Sequence, residues 1–215
     1  MPLSAAFSGP LGGWVNVLAT GVGAGAVVAI CLSHVASAAG NRLQRRLWPR
    51  WPHDSPTNQW LHPDQSTRSA QQRKRWYQQI QDLTGLDIAS IAHEESDDPE
   101  LERVINDAVS KSRYLLRNSE HGDRLRVHNA DFGFARNLAG LRSVWLSFSV
   151  LSCVGSWSAI WLVNGKATIA VGASLVLVFA IFIAFILPGY VRLRADCYAE
   201  SFFGALSLLA EERRH

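Results

Sequence analysis

The sequence predicts an all-α integral membrane protein with three transmembrane helices and a helical block between the first and the second. Hydrophobic residues make up 48% of the 215 residues and charged residues 18%, below the roughly 25% of soluble domains. Residues 1–41 contain no Lys, Arg, Asp or Glu, and residues 143–191 contain only Lys166. Segment 41–140, in contrast, holds 15 Lys/Arg and 14 Asp/Glu. The net charge of +3 is too small to indicate a nucleic-acid partner.

The first predicted span, Gly13–Ala39, is long enough to cross about 30 Å of hydrocarbon. Its string ATGVGAGA has no following Lys, so a phosphate loop is not indicated. A face of small residues instead predicts close helix packing, either within the chain or with a second copy. These residues are Ala19, Gly21, Gly23 and Gly25. The string at 36–38 resembles a signal-peptide cleavage site, which leaves removal of this span as an alternative.

The second and third predicted spans, Ser143–Val163 and Ala167–Leu187, are each 21 residues long. Asn164-Gly165-Lys166 between them is typical of a tight turn, so we expect an antiparallel hairpin. Pro188-Gly189 predicts the end of the third span. A separate C-terminal helix should then follow, with Ala195, Tyr198, Phe202, Ala205 and Leu209 on one face.

Arginines predict the orientation of all three spans by the positive-inside rule. They follow the first span, precede the second and follow the third: Arg42, Arg45, Arg46, Arg50, Arg136, Arg142, Arg192 and Arg194. We therefore expect the N-terminus and the 164–166 turn outside a bacterial inner membrane, with residues 41–140 and the C-terminus in the cytoplasm. Tryptophans 14, 157 and 161 would be outer interfacial anchors, and tryptophans 48, 51 and 145 inner ones.

The polar block begins with a proline-rich segment, 41–65, that predicts an irregular linker. A helix should start near Ser66 or Thr67 and end at Gly85, with Trp76, Ile80 and Leu83 as its apolar stripe. The basic cluster Arg73, Lys74 and Arg75 is a candidate contact for an anionic lipid or a phosphate ligand. The alternative is a solvated face.

A second helix should begin at Asp98-Pro99, since Asp caps free backbone amides and Pro fits the first turn. An apolar stripe follows at helical spacing and predicts the buried face. It consists of Leu101, Ile105, Ala108, Val109, Ser112, Leu115 and Leu116. The acids of this segment suit the helix start, so they do not by themselves indicate a cation site. The string NSEHGD at 118–123 should end the helix.

The next stripe, Val127, Ala130, Phe134, Leu138, Leu141 and Trp145, runs without punctuation into the second span. It predicts one continuous helix from the polar block into the membrane. The string HNADFGFAR within it is similar to the magnesium-binding string of protein kinases. No glycine-rich loop, catalytic-loop pattern or Ala-Pro-Glu accompanies it, so no kinase, enzyme or cofactor is predicted. We interpret the string as the joint between cytoplasmic domain and membrane, comprising Asp131, Phe132, Phe134, Arg136, Asn137 and Arg142.

The predicted organisation is therefore a first span (1–40), a linker (41–65), a cytoplasmic helical domain (66–140), a hairpin (141–189) and a C-terminal helix (190–215). This layout resembles small bacterial membrane effectors of anti-phage systems, including the SLATT type. The resemblance implies a pore-forming or membrane-disrupting role, triggered by a cytoplasmic protein or a nucleotide. We also expect contact with the lipid bilayer and self-association. A membrane anchor or scaffold for a cytoplasmic enzyme, binding through residues 66–124, is the alternative.

Overall fold

The computed structural model describes residues 10–92, 99–163 and 166–214, with side chains from residue 25 onward. Every regular element in these ranges is a helix, as the sequence predicts. The helices are α1 (Pro10–Leu47), α2 (Pro56–Gln59), α3 (Ala70–Thr84), α4 (Ile88–Ala92), α5 (Pro99–Arg117), α6 (Gly122–Gly140), α7 (Arg142–Val163) and α8 (Ala167–Glu212).

Three of these helices are long and apolar enough to cross a membrane: α1, α7 and α8. Their apolar side chains are largely uncovered by the rest of the chain. Phe185 of α8 is 82% exposed, Leu162 of α7 is 81% exposed and Leu32 of α1 is 62% exposed. Large exposed apolar surfaces of this kind are characteristic of contact with a membrane or with another protein. The predicted turn residues Asn164 and Gly165 lie outside the described residues.

The α7–α8 hairpin forms as predicted, and one serine links its two helices. The indole Nε1 of Trp157 donates a 3.0 Å hydrogen bond to Ser174 Oγ. That hydroxyl donates in turn to the carbonyl oxygen of Ala170 at 2.9 Å. Cys153 Sγ lies 3.5 Å from the same hydroxyl. Polar contacts of this kind hold helices together in an apolar surrounding, where burial from water supplies no driving force.

The polar block folds into a helical bundle, which we call the central bundle. Its core joins α3, α4 and α5 to the first turn of α6 and the last turns of α8. The predicted stripe of α5 is confirmed, because all its members are buried except the half-buried Leu115. The helix α3 begins at Ala70, where Ser69 accepts a hydrogen bond from the amide of Gln72. It ends as predicted at Gly85, whose φ of 75° suits a residue without a Cβ.

The helix α3 begins a few residues after its predicted start near Ser66 or Thr67. The structure also differs from the prediction at three larger boundaries. First, α1 continues to Leu47, and the rest of segment 41–65 folds against the central bundle, with Trp60 and Leu61 in its core. Second, the helix expected to run unbroken into the second span is interrupted at Leu141. Third, α8 passes through Pro188 without ending and continues to Glu212. The continuous element between the apolar hairpin and the central bundle is therefore α8, and the prediction that α6 and α7 form it is wrong.

Candidate functional site

A second buried cluster lies where α1, α6 and α8 meet, and we call it the joint. Its buried apolar residues are Leu43, Trp48, Phe132, Ala135, Ala139, Leu187, Val191 and Ala195. Contacts with α1 run from Gly140 against Ala39 to Phe132 against Trp48, so α1 and α6 are antiparallel. The joint therefore connects the apolar part of α1 and α8 to the central bundle through α6.

Two glycines allow α1 and α6 to cross at very short range. A Cβ atom added at Gly140 would lie 2.5 Å from the backbone carbon of Ala39 and 2.5 Å from the nitrogen of Gly40. These distances are well below van der Waals contact, so no larger residue fits at Gly140 without moving one of the helices. The close approach seats Leu43 and Ala139 in the joint.

Asp131, predicted as a joint residue, pairs across helices with Arg194 of α8. The distance from the arginine NH2 nitrogen to the carboxylate oxygen Oδ2 is 2.8 Å. Both side chains are partly exposed, at 39% for Asp131 and 27% for Arg194. The Arg194 guanidinium also lies over the ring of Tyr190, 5.5 Å from its centroid. This ion pair links the kinase-like string to the helix that continues into the apolar hairpin.

Arg136 contacts α1, whereas Asp131 contacts α8. Its NH1 nitrogen donates a 2.8 Å hydrogen bond to Gln44 Oε1. Its Nε and NH2 nitrogens donate to Asn137 Oδ1 at 3.3 and 3.2 Å. Burial lowers the pKa of the Arg136 guanidinium from its usual value, because a charge removed from water is less stable. No carboxylate of the described residues pairs with it, so its charge is held only by neutral amides.

The two phenylalanines of the string have opposite environments. Phe132 is 9% exposed and packs edge-on against Trp48, with ring centroids 6.1 Å apart, and face-on against Trp51 at 6.4 Å. Phe134 is 70% exposed. The predicted stripe Val127, Ala130, Phe134 and Leu138 is therefore not the buried face of α6 in this chain, and that expectation is corrected. The buried face instead uses Leu125, Phe132, Ala135 and Ala139.

The remaining predicted joint residues flank the crossing. Asn137 lies against Gly40, where its amide also accepts from Arg136. Arg142 begins α7 and lines a cavity of about 320 Å³ between α7 and α8, together with Phe185 and Pro188. Five of the six predicted residues therefore lie at or beside the meeting of α1, α6, α7 and α8, whereas Phe134 points away.

The other predicted positions are not brought into the joint. Gly25 is exposed, and a Cβ atom there would meet nothing within 4 Å, so the described chain supplies no packing partner at this position. The side chains of Ala19, Gly21 and Gly23 lie outside the described residues. In the basic cluster, Lys74 and Arg75 are exposed. Arg73 donates a 3.0 Å hydrogen bond to the Arg68 carbonyl oxygen. Burial raises the pKa of Tyr77, and the positive charge of Arg73 partly offsets this rise.

Sequence reasoning missed Gln44 and Arg194, which hold Arg136 and Asp131 respectively. The sequence analysis places Gln44 in an irregular linker, and no pattern in the sequence indicates its contact with Arg136. Arg194 was used only as an orientation marker. Arg194 lies next to Ala195, a residue of the predicted apolar face, and four residues after Tyr190. These two neighbours were the sequence signal that its side chain lies close to the buried face of the helix.

These features define the class: a helical protein with three candidate membrane-spanning helices, a central bundle, and between them the apolar joint, which is flanked by polar contacts of Asp131 and Arg136. No protein-family model matches the chain, and neither the curated proteins nor the solved structures contain a match.

Proposed function

We propose that the chain is a multi-pass protein of the bacterial cell membrane, in which the central bundle is a cytoplasmic domain that controls the hairpin. In this proposal the protein self-associates and acts as a membrane effector or pore-type component, as in anti-phage defence. The positions of the arginines support this orientation, with the N-terminus and the 164–166 turn outside.

The observation that carries the proposal is the continuity of α8. One helix of 46 residues begins in the apolar hairpin and ends in the central bundle. Val191 and Ala195 are buried in the joint, and Phe202 and Leu206 are buried in the core of the central bundle. Because a helix transmits displacement along its axis, a ligand or partner that shifts the central bundle would move the hairpin.

Self-association is supported by the surfaces that the single chain leaves open. The described apolar part of α1 is uncovered, with Val27 60% and Ile30 58% exposed. Gly25 lies on the same stretch and would allow another helix to approach closely. This stretch of α1, N-terminal to its crossing with α6, packs on no other described part of the chain, and in this proposal lipid or a second copy covers it.

The test is leakage of a soluble dye from vesicles that contain the purified full chain. Leu193 of α8 is 57% exposed and lies between Val191 and Ala195, two buried residues of the joint. A proline there removes a helix hydrogen bond at a cost of about 3 kcal/mol or more. We expect Leu193→Pro to change the leakage rate several-fold, whereas the control Leu193→Ala leaves it unchanged. Equal leakage from the unsubstituted chain, Leu193→Pro and Leu193→Ala would refute control of the hairpin through α8.

A membrane anchor for a cytoplasmic partner is the second candidate. It is favoured by the apolar interior of the described spans, which carry no Asp, Glu, Lys or Arg between residues 25 and 41 or between 143 and 163. A charge-lined ion path is therefore not formed by these segments. The anchor predicts no dye leakage under any condition, together with a partner that co-purifies through residues 66–124 and is lost when that surface is altered.

A further inference from the structure

A cavity of about 380 Å³ opens beside the joint, between α1, the segment after it and α6. Its lining is positively charged and amide-rich: Asn41, Gln44, Arg45, Trp51, Asn129, Phe132, Gly133 and Arg136. Two of these residues are arginines, three carry a side-chain amide and none is acidic. A concave site with convergent hydrogen-bond donors and one sign of charge is suited to an anion.

Neither arginine of this cavity forms an ion pair with a described carboxylate. Arg136 has five N–H donors, and within the described part of the chain it makes three hydrogen bonds, all to neutral amide oxygens. Arg45 is exposed and forms no ion pair with the described part of the chain. A half-buried guanidinium without a counter-charge gains from a bound anion, because a charge-assisted hydrogen bond is stronger than one to a neutral amide.

Two further features shape the cavity. Trp51 forms an aromatic wall, 39% exposed and stacked on Phe132 at an angle of 15°. Gly133 leaves the α6 side open, because a Cβ atom added there would meet nothing within 4 Å. The glycine of the kinase-like string therefore keeps space free, whereas its neighbours Phe132 and Arg136 form the wall.

We propose that this cavity binds the phosphate group of an anionic phosphate ester, held by Arg45 and Arg136, with the uncharged part of the ligand against Trp51. The proposal does not depend on the effector role or on dye leakage. Two sources share this chemistry: the headgroup of an anionic phospholipid, since the cavity adjoins the apolar helices, and a soluble phosphate ester.

The test uses the full chain purified in an uncharged detergent and follows its thermal unfolding by tryptophan fluorescence. One arm adds short-chain phosphatidylglycerol, with phosphatidylcholine of the same chain length as the zwitterionic control. The other arm adds adenosine monophosphate, with adenosine as the phosphate-free control. A saturable rise of the unfolding midpoint in either anionic arm, but not with its control, supports the site, and the responding arm identifies the source.

Matched variants locate the binding. Arg45→Gln should weaken the apparent affinity about tenfold, as expected for one charge-assisted hydrogen bond. Arg46→Gln removes the same charge from the neighbouring residue, which is exposed and does not line the cavity, and should change the affinity less than about twofold. Gly133→Leu should abolish the response by filling the cavity without lowering the unfolding midpoint of the free protein, because leucine favours a helix more than glycine does.

Three results would overturn the proposal: no saturable response in either anionic arm, equal weakening by Arg45→Gln and Arg46→Gln, or undiminished binding by Gly133→Leu. If Gly133→Leu does not fold, Gly133→Ala replaces it. This smaller group narrows the cavity at a position with free space, and unchanged affinity in that variant would count against the site.

Discussion

Gly140→Ala should destabilise the joint although it adds only one methyl group. The new Cβ would lie 2.5 Å from the Ala39 carbon and 2.7 Å from its carbonyl oxygen, and both are backbone atoms of α1 that cannot rotate away. The two helices must therefore separate locally, which also loosens the packing of Leu43 and Ala139. Overpacking of this kind costs about 1–3 kcal/mol, which corresponds to a fall of about 2–12 °C in the unfolding midpoint for a chain of this size.

Gly133→Ala is the matched control on the same helix. Its Cβ enters open space, so the substitution should gain helix propensity of about 0.5–1 kcal/mol without a clash. Thermal unfolding of the two full-length variants in the same detergent measures both effects. A Gly140→Ala midpoint equal to or above that of Gly133→Ala would refute the close crossing of α1 and α6.

Three further outcomes follow from the contacts of the joint and the hairpin. Phe132→Ala should lower stability by about 3–5 kcal/mol, as for other buried aromatic residues, whereas Phe134→Ala should change it by less than about 0.5 kcal/mol. Thermal melts compare the two, and a larger loss in Phe134→Ala would contradict the assigned buried face. Asp131→Asn should cost about 1 kcal/mol because its pair with Arg194 is partly exposed. That loss should disappear in a chain that already carries Arg194→Gln, and an undiminished loss there would show that the pair is not coupled. Ser174→Ala should lower the free energy of unfolding by about 0.6 kcal/mol, because the hydrogen bond between α7 and α8 is lost. Denaturant unfolding measures this loss. Ser158→Ala, at an exposed position of α7, is the control that should leave the stability unchanged.

The helices of the central bundle were predictable where large apolar residues recur at helical spacing. Leu101, Ile105 and Leu116 form such a stripe, and all three are buried. Periodicity predicted the wrong face of α6, because it gives most weight to large side chains such as Phe134. The helix instead buries Ala135 and Ala139, since small residues allow α1 and α8 to approach closely.

The continuation of α8 past Pro188 could not be predicted from the neighbouring sequence. Pro188-Gly189 is a strong stop signal in a soluble helix, but neighbouring helices and an apolar surrounding tolerate proline within a long helix. The one-residue break at Leu141 directly follows Gly140, but a single glycine within a helical pattern is a weak stop signal. The pairing of Asp131 with Arg194 spans 63 residues, so it depends on the antiparallel packing of α6 and α8 and not on any spacing in the sequence.

Labelling of single cysteines in intact cells with a membrane-impermeant maleimide tests whether α8 spans the membrane and ends in the cytoplasm. A variant whose three native cysteines are replaced would carry Lys166→Cys in the turn, Ser119→Cys in the central bundle or Glu211→Cys at the end of α8. We expect Lys166→Cys to react in intact cells, and Ser119→Cys and Glu211→Cys to react only after permeabilisation. Equal labelling of all three positions in intact cells would contradict a membrane-spanning α8 that ends in the cytoplasm.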